Sequence, residues 1–298
     1  MSTIPGAYPS ARVRSRLARV LCAAGAAVAL HATSALAQQP QQQQITNEAT
    51  LINWWYSATF GTGFYKIGPA VATVVRFPFS YRVQTMESDR LGINLLAPVS
   101  VAAYHLNLQE LNQLNLREDV AAASILPGAE IEIPMTERWR LKPYAQAGIG
   151  SEFTDVPLVA YMYTAGVKSL YNFPGNDYRV SLGNALFVAG YRVRDGSDQQ
   201  GIGSFQIGFN VETPWTFELF DRTTYFNAHV IGTSYFSRIA FANPEPGRLV
   251  VQYEYQLGFS FRIGRPVSFM GFGADTLGLG FRFAKNVRGL SLYTEFPF

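Results

Sequence analysis

The stretch Leu249-Val250-Val251-Gln252-Tyr253-Glu254-Tyr255-Gln256-Leu257-Gly258-Phe259-Ser260-Phe261-Arg262-Ile263 decides the fold class. Leu249, Val251, Tyr253, Tyr255, Leu257, Phe259, Phe261 and Ile263 share one side of an extended chain, opposite Gln252, Glu254, Gln256, Gly258, Ser260 and Arg262. Successive side chains of a strand point to opposite faces, so a period of two predicts one oily and one polar flank. The run exceeds the five or six residues usual in soluble strands and the roughly 9 to 11 with which a tilted strand crosses a bilayer.

The pattern recurs on both sides of this stretch. Val71, Thr73, Val75, Phe77, Phe79, Tyr81 and Val83 alternate with Arg76, Ser80, Arg82 and Gln84; Phe205, Ile207, Phe209 and Val211 alternate with Gln206, Asn210 and Glu212. Trp139, Leu141, Ala145, Ala147 and Ile149 do so against Arg140, Lys142, Gln146 and Gly148. In hydrocarbon every backbone donor and acceptor must be paired within the protein, so strands cross only as a closed barrel. The fold expected is all-β: a transmembrane, antiparallel, up-and-down β-barrel.

Composition agrees. The chain has 298 residues, 48% hydrophobic, 14% aromatic and 15% charged, with a mean hydropathy of +0.04. That charge fraction lies below the roughly 25% of ordinary soluble domains, and so much Phe, Tyr and Leu excludes a disordered or collagen-like chain. No apolar run approaches the roughly 20 residues of a membrane-spanning helix.

Residues 1–37 read as an export signal: Arg12, Arg14, Arg16 and Arg19 precede the apolar stretch Val20 to Leu30, and Ala35-Leu36-Ala37 offers a small-x-small cleavage site. Cys22 opens the apolar stretch behind Arg19 rather than a lipobox leucine, so lipidation is discounted. Cleavage removes the one cysteine, and the four arginines of this segment take the formal charge from +3 to −1. The sequence pI near 8.9 therefore belongs mostly to the signal, and a nucleic-acid partner loses its electrostatic basis. Gln-rich residues 38–49 form a polar lead-in, and residues 50–298 form the barrel.

Turn-rich clusters at Glu87-Ser88-Asp89, Met135-Thr136-Glu137, Asn172 to Asn176, Arg194 to Asp198, Asn243 to Gly247 and Lys285-Asn286 separate the alternating runs. They divide the chain into strands near 51–66, 70–84, 90–104, 124–134, 138–150, 157–171, 177–193, 201–213, 224–241, 248–263, 276–285 and 288–298, an even count of about 12, with 10–14 compatible. Val267 to Gly273 stays open as a further short strand, and Ile45 to Phe60 as either a strand or a pore helix. Both termini then lie in the periplasm, the turns around Asp195, Pro244 and Asn286 lie outside the cell, and Leu106 to Ala123 is the longest external loop. Pro78, Pro98 and Pro143 fall within strands, each removing a ladder donor. Trp54, Trp55, Tyr56, Trp139, Trp215, Tyr161 and Tyr163 are candidates for interfacial aromatic girdles.

The chain ends Gly289-Leu290-Ser291-Leu292-Tyr293-Thr294-Glu295-Phe296-Pro297-Phe298, with Leu290, Leu292, Thr294, Phe296 and Phe298 in one outward phase. This resembles the carboxyl-terminal assembly signature of Gram-negative outer-membrane barrels, in which Phe296 and Phe298 would be read by the barrel-assembly machinery. Leu141-Lys142-Pro143-Tyr144 resembles a strand motif of autotransporter translocator domains, and the strand count matches that family. The resemblance implies a bacterial outer-membrane location and a solitary, monomeric, autotransporter-type barrel lacking a passenger. Lipid and lipopolysaccharide are the surroundings it implies.

Catalysis finds little support in the residues. Beyond the signal the histidines are His105 and His229, in Tyr104-His105-Leu106-Asn107 and Asn227-Ala228-His229-Val230-Ile231. Neither shows the His-x-Ser of outer-membrane lipases and deacylases or the Asp-x-His of omptin-type proteases. Ser234 and Ser237 could approach His229 in space, but no orienting acid is near in sequence. No metal or cofactor is expected, and a lipid-modifying barrel enzyme is kept as the alternative.

The inward flank is expected to carry Arg76, Arg82, Arg140, Lys142, Arg179, Arg262 and Arg282 with Glu130, Glu132, Glu212, Glu254 and Glu295. Two readings stay open: ion pairs that fill and close the interior, or a narrow, porin-like pore weakly favouring anions.

Overall fold

A computed structural model of the chain describes residues 61–67, 70–87, 90–106, 119–153, 157–175, 177–194, 199–219, 222–241, 249–269, 272–294 and 296–298. The expected export signal (1–37), lead-in (38–49) and first part of the first strand, with the strand-or-helix question at Ile45 to Phe60, lie outside the described residues.

The described residues are all-β. They form β1 (Thr62–Ile67), β2 (Ala70–Phe77), β3 (Ser80–Gln84), β4 (Gly92–Leu96), β5 (Val99–Leu106), β6 (Asp119–Ile125), β7 (Gly128–Pro134), β8 (Trp139–Glu152), β9 (Val159–Asn172), β10 (Arg179–Val193), β11 (Gln199–Leu219), β12 (Arg222–Phe241), β13 (Leu249–Phe269), β14 (Phe272–Ala284) and β15 (Val287–Tyr293). Six of these are halves of longer strands. Pro78 separates β2 from β3, Pro98 separates β4 from β5, and Pro127 separates β6 from β7.

The register passes each break unchanged: Phe77 faces Val99 and Ser80 faces Leu96, while Val99 faces Ile125 and Gly92 faces Glu132. Joining the halves leaves twelve strands, each antiparallel to its neighbours. β1 pairs with β15 from Thr62↔Leu292 to Ile67↔Val287, so the sheet closes on itself. The fold is a closed twelve-stranded barrel.

Proline is tolerated because other donors bridge the gaps. Ala97 N–H donates to Phe79 O at 2.8 Å, Leu126 N–H to Pro98 O at 3.1 Å, and Ala147 N–H to Pro127 O at 3.0 Å. Pro143 lies within unbroken β8, opposite Val167 of β9, where the β7–β8 pairing skips from Glu130↔Tyr144 to Ile133↔Leu141.

Several boundaries differ from the sequence expectation: β6 begins at Asp119, inside the stretch Leu106 to Ala123 expected as an external loop, and β11 runs on to Leu219. Val267 to Phe269 complete β13, and Phe272 opens β14, so no extra strand lies there. β15 stops at Tyr293, where its ladder with β14 ends opposite Gly278. Between Ser234 and Ile239 the β12–β13 register shifts, and with this irregularity goes the full burial of Val251.

Strand direction sorts the connections. The strand pairs meeting near Asn286, at 194–198, at 242–248 and at 107–118 share one end, here called the far end. Gly61 and the tail after Tyr293 share the other, the near end. The hairpin at Lys285-Asn286 needs a left-handed residue, and Asn286 takes it with φ 145°.

The two flanks have opposite chemistry. Phe64, Tyr253, Leu257, Leu277 and Phe281 are each at least half exposed on the outside. Inside the far half, Tyr65, Ile67, Ala72, Val74, Met162, Phe187, Tyr191, Ile202, Val251 and Val287 pack into one buried apolar cluster. The far half of the lumen is therefore mostly apolar, with Glu254 and Arg282 held in it as a buried ion pair.

Gly148 of β8 is held where that strand meets the β6–β7 break. A Cβ there would strike the carbonyl oxygen of Ile125 and lie 2.8 Å from Leu126 Cα. Gly148→Val should therefore lower stability by about 1–3 kcal/mol, read as a lower urea midpoint of the refolded protein. An unchanged midpoint would show that β8 has room there.

Candidate functional site

The charged half of the lumen is built by long side chains that reach across strands. The inward strand phase carries these side chains over their neighbours. Arg262 of β13 places Nε 2.7 Å from Glu212 Oε2 of β11, passing over β12. Lys168 of β9 places Nζ 3.1 Å from Glu130 Oε2 of β7, passing over β8.

Three groups of charges result. At the near end, Glu212 takes Arg262 on one oxygen and Arg179 Nη1 on the other at 3.3 Å, and Arg262 lies over the Tyr225 ring at 4.6 Å from its centre. On the opposite wall, Lys168 also lies over the Tyr144 ring, while Arg82 reaches Glu132 at 3.8 Å. Asn94 ties that second pair together, accepting from Arg82 Nε at 3.2 Å and donating to Glu132 Oε1 at 3.1 Å. Deeper, Arg282 Nη1 meets Glu254 Oε1 at 3.0 Å, Arg282 Nη2 donates to Gln256 Oε1 at 3.1 Å, and Tyr235 O–H donates to Glu254 Oε2 at 3.4 Å. Buried charges survive only when paired in this manner.

The tail enters this space. Phe298 is buried against Ala185 and Ile231, with Leu170 and Phe296 packed alongside. Gly183 and Gly208 make the slot, since a Cβ on Gly183 would strike the Phe298 ring and one on Gly208 would lie 2.7 Å from it. Lys142 Nζ donates to Phe298 O at 3.1 Å. The sequence expectation of an outward Phe296 and Phe298 is corrected here: β15 has ended, Pro297 lacks a donor, and the glycine-lined slot buries the rings.

Below the tail a cavity of about 690 Å³ opens at the near end. Arg138, Arg140, Arg179, Arg262, Glu212 and Phe173 are on its walls.

Of the residues singled out from the sequence, Arg179, Glu212 and Arg262 come together, as do Glu254 and Arg282. Arg82 joins Glu132, Lys142 joins the tail, and Arg140 lines the cavity. Arg76 lies on β2, and its main chain exchanges hydrogen bonds with Thr62 Oγ1. Glu295 lies outside the described residues. Lys168, Asn94 and Tyr235 were missed, although the strand phase places each on the inward flank, where the sequence already set Gln256.

His229 is buried, with Nε2 2.9 Å from Gln256 Nε2 and its ring edge-on to Tyr293 at 4.7 Å. Ser234 falls on the opposite face of β12, so the two are not brought together. Among the described residues, no three His, Cys, Asp or Glu side chains are grouped to hold a metal ion.

No family model matches the chain, and no curated protein matches it. Seven chains of known structure do. One is the β-domain of the Bordetella autotransporter Brka, with a TM-score of 0.54 and 10% identity over 77% of this chain and 92% of that one. At that identity the likeness shows a shared barrel fold.

Among the described residues, the Glu254–Arg282 pair is the most buried ion pair of the lumen, its side chains 4% and 17% exposed. Glu254→Gln should cost about 3–5 kcal/mol by leaving the guanidinium uncompensated, and adding Arg282→Met should recover part of the loss. Chemical unfolding of the refolded variants measures both; strictly additive losses would show that the two charges are uncoupled.

Proposed function

We propose that the chain is an integral outer-membrane protein of the autotransporter-barrel type, exported by residues 1–37, whose barrel is structural and closed. The observation that carries this reading is the filled lumen. Tyr65, Val74, Val251 and Val287 are buried to 1% exposure or less in the far half, and the near half is spanned by ion pairs and entered by Phe298. A water-filled channel would leave such interior side chains wet.

The membrane seat is supported by the oily outer flank and by aromatic residues toward both ends, Trp215 at the near end and Tyr161 and Tyr163 at the far end. An even strand count leaves Gly61 and the tail on one side, the periplasmic side for a chain exported amino-end first. Lipid and lipopolysaccharide then cover the outer flank of a monomer. Recognition by the assembly machinery acts on the chain before it folds, so Phe296 and Phe298 can serve as the signal and still finish inside the lumen.

Planar-bilayer recordings with refolded protein test the reading. The expected outcome is a silent membrane; steady, large conductance steps would overturn it. Deleting residues 296–298 should both lower the yield of folded protein, seen by its heat-dependent gel shift, and give brief openings in what does fold. Undiminished folding in that deletion would remove the tail's role in assembly.

A further inference from the structure

We propose that the cavity at the near end is a binding site for a small organic diphosphate, a ring-shaped body carrying two phosphates. Among the described residues, its walls hold four guanidiniums and one carboxylate: Arg138, Arg140, Arg179 and Arg262 against Glu212. Arg179 and Arg262 share Glu212. Among the described residues, neither the Arg138 nor the Arg140 guanidinium meets a carboxylate. The excess is three positive charges inside a protein-walled mouth, which focuses the field on anions.

The shape of the donors selects the kind of anion. Guanidinium forks present paired N–H groups that match phosphate oxygens two at a time. Arg138 ends the turn that leads into β8, Arg140 lies on β8, Arg179 begins β10, and Arg262 comes from β13, so the forks converge from one turn and three strands. Three excess charges balance the roughly three negative charges of an organic diphosphate near neutral pH.

Size and the apolar wall ask for more than phosphate. About 690 Å³ lies within the roughly 300–1,000 Å³ typical of small-molecule sites, far more than bare pyrophosphate fills. Phe173 lines the cavity with 42% of its surface exposed, its ring held edge-on by Tyr171 at 5.0 Å. A held, half-exposed ring offers a stacking face to a flat partner.

The inference depends on the barrel mouth and not on which membrane holds it or whether the lumen conducts. Calorimetry of the full refolded chain in an uncharged detergent, with ADP, pyrophosphate and adenosine as probes, tests it independently of conductance. ADP should bind saturably at one site, pyrophosphate more weakly, and adenosine not at all. Arg138→Gln with Arg140→Gln should weaken ADP by at least about tenfold in protein that retains its gel shift. If that double variant does not fold, Arg138→Gln alone, in an exposed turn, should still weaken ADP severalfold. Phe173→Ala should erase the advantage of ADP over pyrophosphate. Absence of saturable ADP binding, equal affinity for ADP and pyrophosphate in the unaltered chain, or affinity indifferent to the arginine changes would each overturn the proposal.

Discussion

The seam between β1 and β15 is the constraint on which the rest depends. An open sheet exposes a row of unpaired N–H and C=O groups at each edge, which hydrocarbon does not tolerate and which water tolerates only at the risk of aggregation. Six residues of β1, Thr62 to Ile67, meet six of β15 across that seam. Closure makes inside and outside distinct, and the period of two then sends each side chain to one or the other. The exposed Phe64 and the fully buried Tyr65 stand one residue apart for that reason.

Once the wall is closed, its contents must settle their own charges. The far half packs Tyr65, Met162, Phe187 and Tyr191 as the interior of a soluble domain would, and neutralises its Glu254 with Arg282. The near half keeps carboxylates and guanidiniums and pairs them over intervening strands, so the same side chains that fill the space also brace the wall. Glu212, shared by Arg179 and Arg262, ties β10, β11 and β13 together. The division places the wet, charged cavity at the end where the tail enters.

Strand phase was the legible part. The run around Tyr253 to Phe261 announces its two flanks, and the even count and the sidedness of the turns follow from the same alternation. The tail was not legible, because Leu290, Leu292, Thr294, Phe296 and Phe298 keep one phase while the ladder that would hold them ends at Tyr293. Nothing local to Phe298 reports the slot at Gly183 and Gly208, both distant from it in sequence. Val251 failed for a similar reason: its burial goes with a register shift in the pairing of β12 with β13, which leaves no local mark in the sequence. Lys168 was legible by phase and simply sits among small and apolar neighbours that mask it.

Pro78, Pro98 and Pro127 have a mechanical consequence. The register places Pro78 opposite Pro98, and Pro127 opposite Ala97, so missing donors line up sideways across adjoining strands. The alternation of oily and polar side chains crosses that line without slipping. A sheet that gives up rungs yet keeps its phase behaves like creased card: it flexes along the crease and stays stiff elsewhere. Distortion of this wall under lateral load would gather in that quadrant, leaving the long, unbroken strands β9 to β13 to keep the shape of the whole.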